Sequence, residues 1–168
     1  MSRFDIQLSR ESEAWPEEEA LEMLAERVID AAAAYLEVAE GQPFPQNPSE
    51  LSLVFTDDDS VRAINAEWRG QDKPTNVLSF PAFPVEPGDE PGPMLGDIVL
   101  AQETIAREAA DLGTPFEEHL SHLLVHGFLH LLGYDHIDPR EAERMEALES
   151  RILIGLGLSD PYGDSDPI

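Results

Sequence analysis

TPFEEHLSHLLVHGFLHLLGYDH, residues 114–136, is the stretch that decides how this chain folds. Its first four residues, Thr114 to Glu117, have the pattern of a capping box with proline at the first helical position, which predicts that a helix begins here. We expect this helix to continue to Leu132 and to end at Gly133, because glycine readily adopts the left-handed conformation that closes a helix. The stretch therefore predicts a long, largely apolar helix followed by a tight turn.

Strands and helices alternate on both sides of this helix. Short segments of alternating or continuous apolar residues predict strands, and amphipathic segments bounded by Asp, Pro or Gly predict helices. The predicted strands cover residues 4–8, 51–56, 77–80 and 95–100, and the predicted helices cover residues 15–41, 57–70, 102–112, 114–132 and 138–156. The pattern predicts an α+β fold in which helices cover a small mixed β-sheet.

Length and composition limit the class of protein. A chain of 168 residues predicts a single domain, which we place at residues 1–157, followed by an acidic tail at residues 158–168 that we expect to be flexible. No apolar run approaches the roughly 20 residues that span a bilayer, and no secretion signal is evident, so we expect a cytoplasmic protein. Because the chain has no cysteine, a transition metal must be bound through histidine nitrogen or carboxylate oxygen.

Three histidines have the spacing of a metal site. His126 and His130 are four residues apart, so on a helix they lie one above the other on the same face. The turn at Gly133 allows His136 to approach the same ion. Three imidazoles with an open position for water form the usual catalytic zinc site, in which the metal lowers the pKa of that water from about 15.7 to about 7. We therefore predict one Zn²⁺ ion on a helix similar to those of zinc metallohydrolases.

Two further histidines lie on nearly the same stripe of this helix. We interpret His119 and His122 as helix residues with satisfied hydrogen bonds, and neither is included in the predicted ligand set. For His122 two other roles stay open, as a residue that orients a ligand or as an alternative ligand.

The residue after the first ligand separates two kinds of hydrolase. The spacing HxxxHxxGxxH is also that of the metzincin peptidases, which carry a glutamate directly after the first histidine as general base. Gly127 occupies this position and can neither accept a proton nor position a water molecule, which weakens a peptidase interpretation. Cleavage of RNA is less demanding, because the substrate brings its own 2′-hydroxyl group. It requires positive charge to stabilise the transition state.

Three segments of the chain resemble the YbeY family of bacterial endoribonucleases. The family signature HGxLHLxGYDH is matched completely by HGFLHLLGYDH at residues 126–136. Two further family blocks are matched in the expected order by WRGQDKPTNVLSFP at residues 68–81 and by LGDI at residues 95–98. The first motif is highly specific, the second nearly as specific, and the third weak on its own.

The resemblance implies a single-strand-specific, metal-dependent endoribonuclease that matures rRNA at the 3′ end of the 16S RNA and acts in ribosome quality control. It implies zinc on the three histidines and a catalytic role for Arg69, which matches the family's essential arginine, in binding phosphate and stabilising charge. The alternative role for Arg69 is an interaction with the dipole of its helix. Lys73 is expected to be solvated, and Asp97 and Asp135 either orient ligand imidazoles or cap turns.

The implied partners are single-stranded RNA and the small ribosomal subunit, with no DNA or membrane. The formal net charge of −25 opposes strong binding of free RNA, although residues 60–81 carry a net charge of +1 and the acid is concentrated at residues 11–26 and 160–166. The acidity indicates either a solubilising surface or a basic ribosomal protein as partner. Two alternatives stay open: a zinc metallopeptidase-like hydrolase with another base, and a non-catalytic, metal-stabilised ribosome-associated factor with a fourth ligand such as His122.

Overall fold

The computed structural model describes residues 3–162 and contains a four-stranded sheet. The strands are β1 (Phe4–Arg10), β2 (Ser49–Thr56), β3 (Val77–Pro81) and β4 (Met94–Ala101). They lie in the order β1-β2-β4-β3, in which β2 is parallel to β1 and to β4, and β3 is antiparallel to β4. The predicted mixed sheet is confirmed, and the short strand β3 forms one of its edges.

Helices cover both faces of the sheet. They are α1 (Glu18–Ala39), α2 (Asp58–Arg69), α3 (Gln102–Leu112), α4 (Phe116–Leu131) and α5 (Pro139–Gly155). On one face of the sheet, α1 contacts β1, and α4 contacts β3 and β4. Helix α5 packs behind α1 and α4. On the other face, α2 contacts β4. The predicted α+β fold is confirmed. Within the described part of the chain, no helix is long and apolar enough to cross a membrane.

The alternation of side chains along β4 builds the two cores. Ile98 and Leu100 are fully buried in the main core, together with residues of α1 and α4. Val99 and Ala101 point the other way and pack with Val61 of α2 in a smaller core. Successive side chains of a strand point to opposite faces, so one apolar strand holds helices on both sides. This strand therefore fixes α4 and α2 relative to each other.

Two of the predicted helix starts are confirmed by hydrogen bonds to the side chain of the capping residue. Asp57 accepts a hydrogen bond of 2.8 Å from the backbone N–H of Ser60 at the start of α2. Asp138 accepts one of 2.9 Å from the N–H of Glu141 at the start of α5. Such caps satisfy backbone donors that have no partner inside the helix.

The start of α4 lies close to the predicted position, but the predicted capping box is wrong. Pro115 is the N-cap residue, and no side chain caps the helix. The backbone N–H of Thr114 donates a 3.0 Å hydrogen bond to the carbonyl of Ala109, so this residue still belongs to the closure of α3. Thr114 therefore lies one position too early to cap α4.

The chain after α5 folds back onto the domain. The N–H of Leu158 donates to the carbonyl of Leu153 at 3.0 Å, and the hydroxyl of Ser150 donates to Asp160 at 2.7 Å. Residues 163–168 of the tail that we expect to be flexible lie outside the described residues.

Candidate metal centre

Three imidazoles meet at the C-terminal end of α4. His126 and His130 lie on the same face of the helix, and His136 follows in the turn after it. One ring nitrogen from each of the three histidines lies within 4.8 Å of the others, and the Nε2 atoms of His126 and His130 are 3.1 Å apart. Two nitrogens bound to one zinc ion by bonds of about 2.0–2.1 Å lie at most about 4.2 Å apart, so small side-chain adjustments are enough for the three donors to share one ion.

Gly133 makes the turn that brings His136 back to the helix. Its φ angle is 100°, on the left-handed side of conformational space, and its N–H donates to the carbonyl of His130 at 3.0 Å. A Cβ atom on this residue would lie 2.5 Å from the carbonyl oxygen of Val85 and 2.9 Å from the Cα of Glu86. Glycine is therefore required both for the backbone conformation and for the close approach of the loop after β3.

The surroundings of His130 keep its imidazole in the neutral form. Burial lowers the pKa of His130, and the neighbouring His126 and His136 lower it further, to about 4. A metal binds the neutral imidazole. His130 is therefore ready to act as a ligand at neutral pH.

A buried carboxylate of α5 orients the first histidine of the group. The side chain of Glu149 is 1% exposed, and its oxygens lie 2.8 Å from Nδ1 of His126 and 2.6 Å from Nε2 of His122. When the Nδ1–H of His126 donates to Glu149, the lone pair on Nε2 is left for a metal. Burial alone would raise the pKa of Glu149, but the hydrogen bonds from His122 and His126 outweigh it and lower this pKa to about 2.

Glu149 is not among the residues predicted from the sequence, although its position in the sequence carries a signal. The residue lies four positions after Met145, and both lie on the buried face of α5. A carboxylate is rarely fully buried unless it has a partner. A charged residue on an otherwise apolar helix face therefore indicated a second polar group inside the domain.

Both of the other histidines of α4 are hydrogen-bonded to carboxylates. His119 is 7% exposed, and its Nε2 lies 2.9 Å from Glu108 of α3. His122 contacts the same carboxylate as His126, and the hydroxyl of Tyr162 donates to that carboxylate at 2.6 Å. The structure thus places His122 beside the residue that orients a ligand and outside the group of three ligand nitrogens.

The three histidines line a cleft of about 740 Å³. Its walls are the end of α2, strand β3, the loop after β3 and the turn after α4, and Trp68 and Arg69 contribute from the last turn of α2. Arg69 is exposed and forms no ion pair with another residue in the range 3–162. The structure therefore brings Arg69 and the three histidines to one cavity.

The other charged residues considered from the sequence have different positions. Lys73 and Asp97 do not belong to the lining of this cleft, and both are exposed. Asp135 lines it and accepts a 2.7 Å hydrogen bond from the backbone N–H of His136. Its carboxylate therefore caps the turn that carries His136.

A known protein family matches almost the whole chain. The family model described as Endoribonuclease YbeY matches residues 5–157. The chain belongs to the YbeY family. Proteins named Endoribonuclease YbeY from Sinorhizobium fredii and Rhizobium meliloti are 67% and 68% identical to it, over 100% and 99% of this chain and 97% and 99% of theirs. Two predictions are thereby confirmed: the chain is a member of the YbeY family, and it is an enzyme of the endoribonuclease class.

A solved structure shows the same fold. The solution structure of TM1509 from Thermotoga maritima superposes on this YbeY-family chain with a TM-score of 0.55 and 24% sequence identity. The superposition covers 97% of this chain and 98% of that one. The arrangement of sheet and helices is therefore common to both proteins.

In this YbeY-family chain, Gly127 lets α4 lie directly on the sheet. A Cβ atom at this position would lie 3.1 Å from both Cγ2 of Ile98 and the hydroxyl oxygen of Ser79. A side chain at this position, such as the one that metzincin peptidases carry, would require Ile98 and Ser79 to shift. The close packing of α4 on the sheet thus favours glycine here.

Proposed function

We propose that this chain is a metal-dependent endoribonuclease specific for single-stranded RNA, which acts in the cytoplasm on the 3′ end of 16S rRNA and in ribosome quality control. Membership of the YbeY family supports the reaction class. The observation that carries the proposal is that three imidazole nitrogens and the guanidinium of Arg69 line the same open cleft.

The donor set fits one zinc ion bound by His126, His130 and His136. All three donors are imidazole nitrogens, and Glu149 orients one of them as carboxylates do in zinc sites. The cleft beside them is open, and His122 is hydrogen-bonded to Glu149, which disfavours a closed structural site with His122 as fourth ligand. When bound, such an ion supplies Lewis acidity toward a phosphate oxygen and lowers the pKa of a water molecule.

Arg69 binds the phosphate that is cleaved. Its planar guanidinium presents two parallel N–H donors that match two phosphate oxygens, and it stabilises the negative charge that builds up on them. Asp135 is the one acidic side chain among the described residues that line the cleft, and it is already engaged with the backbone. The reacting phosphate therefore meets positive charge in a chain whose net charge is −25.

The acidic surface supports delivery of the substrate on the small ribosomal subunit. A groove of about 630 Å³ lies between α1 and α4, and its lining combines apolar side chains with three acidic residues, Glu26, Asp30 and Glu117. Arg27, the one basic side chain among the described residues of this lining, pairs with Glu117 at 3.4 Å, so acidic charge remains in excess. A basic ribosomal protein with an apolar contact residue complements such a groove in both charge and polarity. Tight, salt-resistant binding of isolated RNA by the free protein would contradict delivery by a partner.

Cleavage of a single-stranded rRNA fragment by protein of measured zinc content tests the proposal. We expect the unaltered protein to cut and both His126→Ala and Arg69→Ala to lose activity, with zinc lost from His126→Ala alone. Arg62→Ala is the matched control, because Arg62 lies on the same helix, is exposed and is paired with Asp72 at 2.8 Å. It should cut normally.

Two results would overturn the assignment. Equal cleavage by all four preparations would identify a contaminating nuclease. Zinc-dependent turnover of peptides, with no cleavage of RNA, would replace the endoribonuclease by the peptidase alternative. Circular dichroism of each variant shows whether a loss of activity is a loss of folding.

A further inference from the structure

Trp68 is an unusual surface residue. Its side chain is 69% exposed, whereas Trp15, the other tryptophan of the chain, is 2% exposed and donates its indole N–H to the carbonyl of Thr56 at 2.8 Å. Tryptophan is well buried on average, although single exposed apolar residues are common on protein surfaces. The neighbours of Trp68 therefore decide whether its exposure indicates binding.

The position of Trp68 puts its ring next to the phosphate-binding residue. It directly precedes Arg69 on the last turn of α2, and both residues line the cleft that holds the three histidines. The helix ends at Gly70, whose N–H closes the turn by donating to the carbonyl of Ala66 at 3.2 Å. The indole and the guanidinium are thus carried by a closed helix end and not by a loose loop.

A second aromatic residue supports the indole without covering it. The ring centroids of Trp68 and Phe80 are 6.4 Å apart, with an angle of 59° between the planes. Phe80 belongs to the edge strand β3 and packs against the smaller core. Contact with an anchored ring limits the orientations of Trp68 while most of its surface stays accessible.

We propose that Trp68 forms a base-stacking subsite, which takes an unpaired nucleobase of the RNA beside the phosphate held by Arg69. The inference rests on the proposed function and adds the group that recognises the strand. Every nucleobase presents a flat π face, and these faces are free in a single strand but covered by neighbouring pairs in a duplex. Stacking on Trp68 thus accounts for a preference for single strands without a positively charged surface.

The tryptophan itself reports on this contact. The probes are oligo(A) of about ten nucleotides, within the range bound by single-strand binding domains, and an abasic strand of the same length. They are added at low ionic strength to chelator-treated protein. We expect oligo(A) to quench the emission of the unaltered protein and to protect it from acrylamide, and the abasic strand to do neither. Trp68→Phe should lose this signal, because the remaining Trp15 is buried.

Affinity of labelled oligo(A) measures the contribution of the ring. Trp68→Ala and Trp68→Leu should bind about 5- to 150-fold more weakly, which is the usual range for loss of one stacked base, while Trp68→Phe retains most of the affinity. Trp68→Leu keeps an apolar contact with Phe80, so a loss common to both variants is not caused by unfolding. Phe83→Ala is the control, since Phe83 is 58% exposed and does not line the cleft.

The failure of this inference is distinguishable from that of the proposed function. If Trp68→Ala and Trp68→Leu bind oligo(A) as tightly as the unaltered protein, if the abasic strand binds equally well, or if emission does not change at saturation, the stacking subsite does not exist. Zinc-dependent cleavage by the unaltered protein would still stand in that case. Loss of oligo(A) binding in both variants, with no cleavage by the zinc-loaded unaltered protein, would keep the subsite and overturn the proposed function.

Discussion

Substitution of Gly133 by alanine should damage the turn that carries His136. At a φ angle of 100°, an alanine carries a backbone strain of about 1–3 kcal/mol. Its Cβ would also lie 2.5 Å from the carbonyl oxygen of Val85, and overpacking of this kind costs about 1–3 kcal/mol. We therefore expect Gly133→Ala to lower the free energy of unfolding of the metal-free protein by about 2–6 kcal/mol. The displaced turn should also weaken zinc binding.

Gly113→Ala provides the matched control for this prediction. Gly113 has a φ angle of 68°, but a Cβ atom there would meet nothing within 4 Å. Its substitution should cost only the left-handed strain of about 1–2 kcal/mol and leave zinc affinity unchanged. Urea unfolding in the presence of a chelator measures the first quantity, and competition with a coloured chelator measures the second. Equal loss of stability in the two variants, with equal zinc affinity, would refute the role of close packing around Gly133.

Three further changes test other parts of the structure. Glu149→Gln removes the charged acceptor of His126 and should weaken zinc binding about 10- to 100-fold in the same competition assay. The control is Glu108→Gln, which changes the carboxylate paired with His119 and should leave zinc binding unchanged. Asp57→Ala removes the N-cap of α2 and should lower the free energy of unfolding by about 1 kcal/mol at neutral pH. The hydrogen bond from the Ser60 N–H lowers the pKa of Asp57 below 3.8. The part of this difference that depends on the charge of Asp57 should therefore be present above pH 3.8 and be lost as the pH falls through the pKa of the folded state, as urea unfolding across this range would show. Gly127→Glu should lower the free energy of unfolding by about 1–3 kcal/mol through contact with β3 and β4 and should produce no chelator-sensitive hydrolysis of peptides.

Local features of the fold followed from short stretches of sequence. Asp57 and Asp138 cap helices as predicted, because an N-cap depends on a residue and the next three. The capping box at Thr114 failed for a reason that a local pattern does not contain. Thr114 lies between two helices, and its backbone N–H is hydrogen-bonded to Ala109 at the end of α3.

Contacts between residues that are far apart in the sequence were harder to predict. The three histidines lie within residues 126–136 and form one local pattern, whereas Arg69 was assigned through the family resemblance alone. Glu149 is 23 residues from His126, and the contact depends on how α5 packs against α4. The strand order β1-β2-β4-β3 likewise arises from long-range pairing, which periodicity along the chain does not encode.

The compact spacing of the three histidines has a consequence for how the protein is made. A chain is synthesised from its N-terminus, so all three proposed ligands are present once residue 136 has emerged. Closing so short a segment around an ion costs little chain entropy. Glu149 emerges later, on a helix that must still dock. At the proposed metal site, capture of an ion by the nascent chain would thus be a local event, whereas the orientation of His126 by Glu149 requires the finished protein.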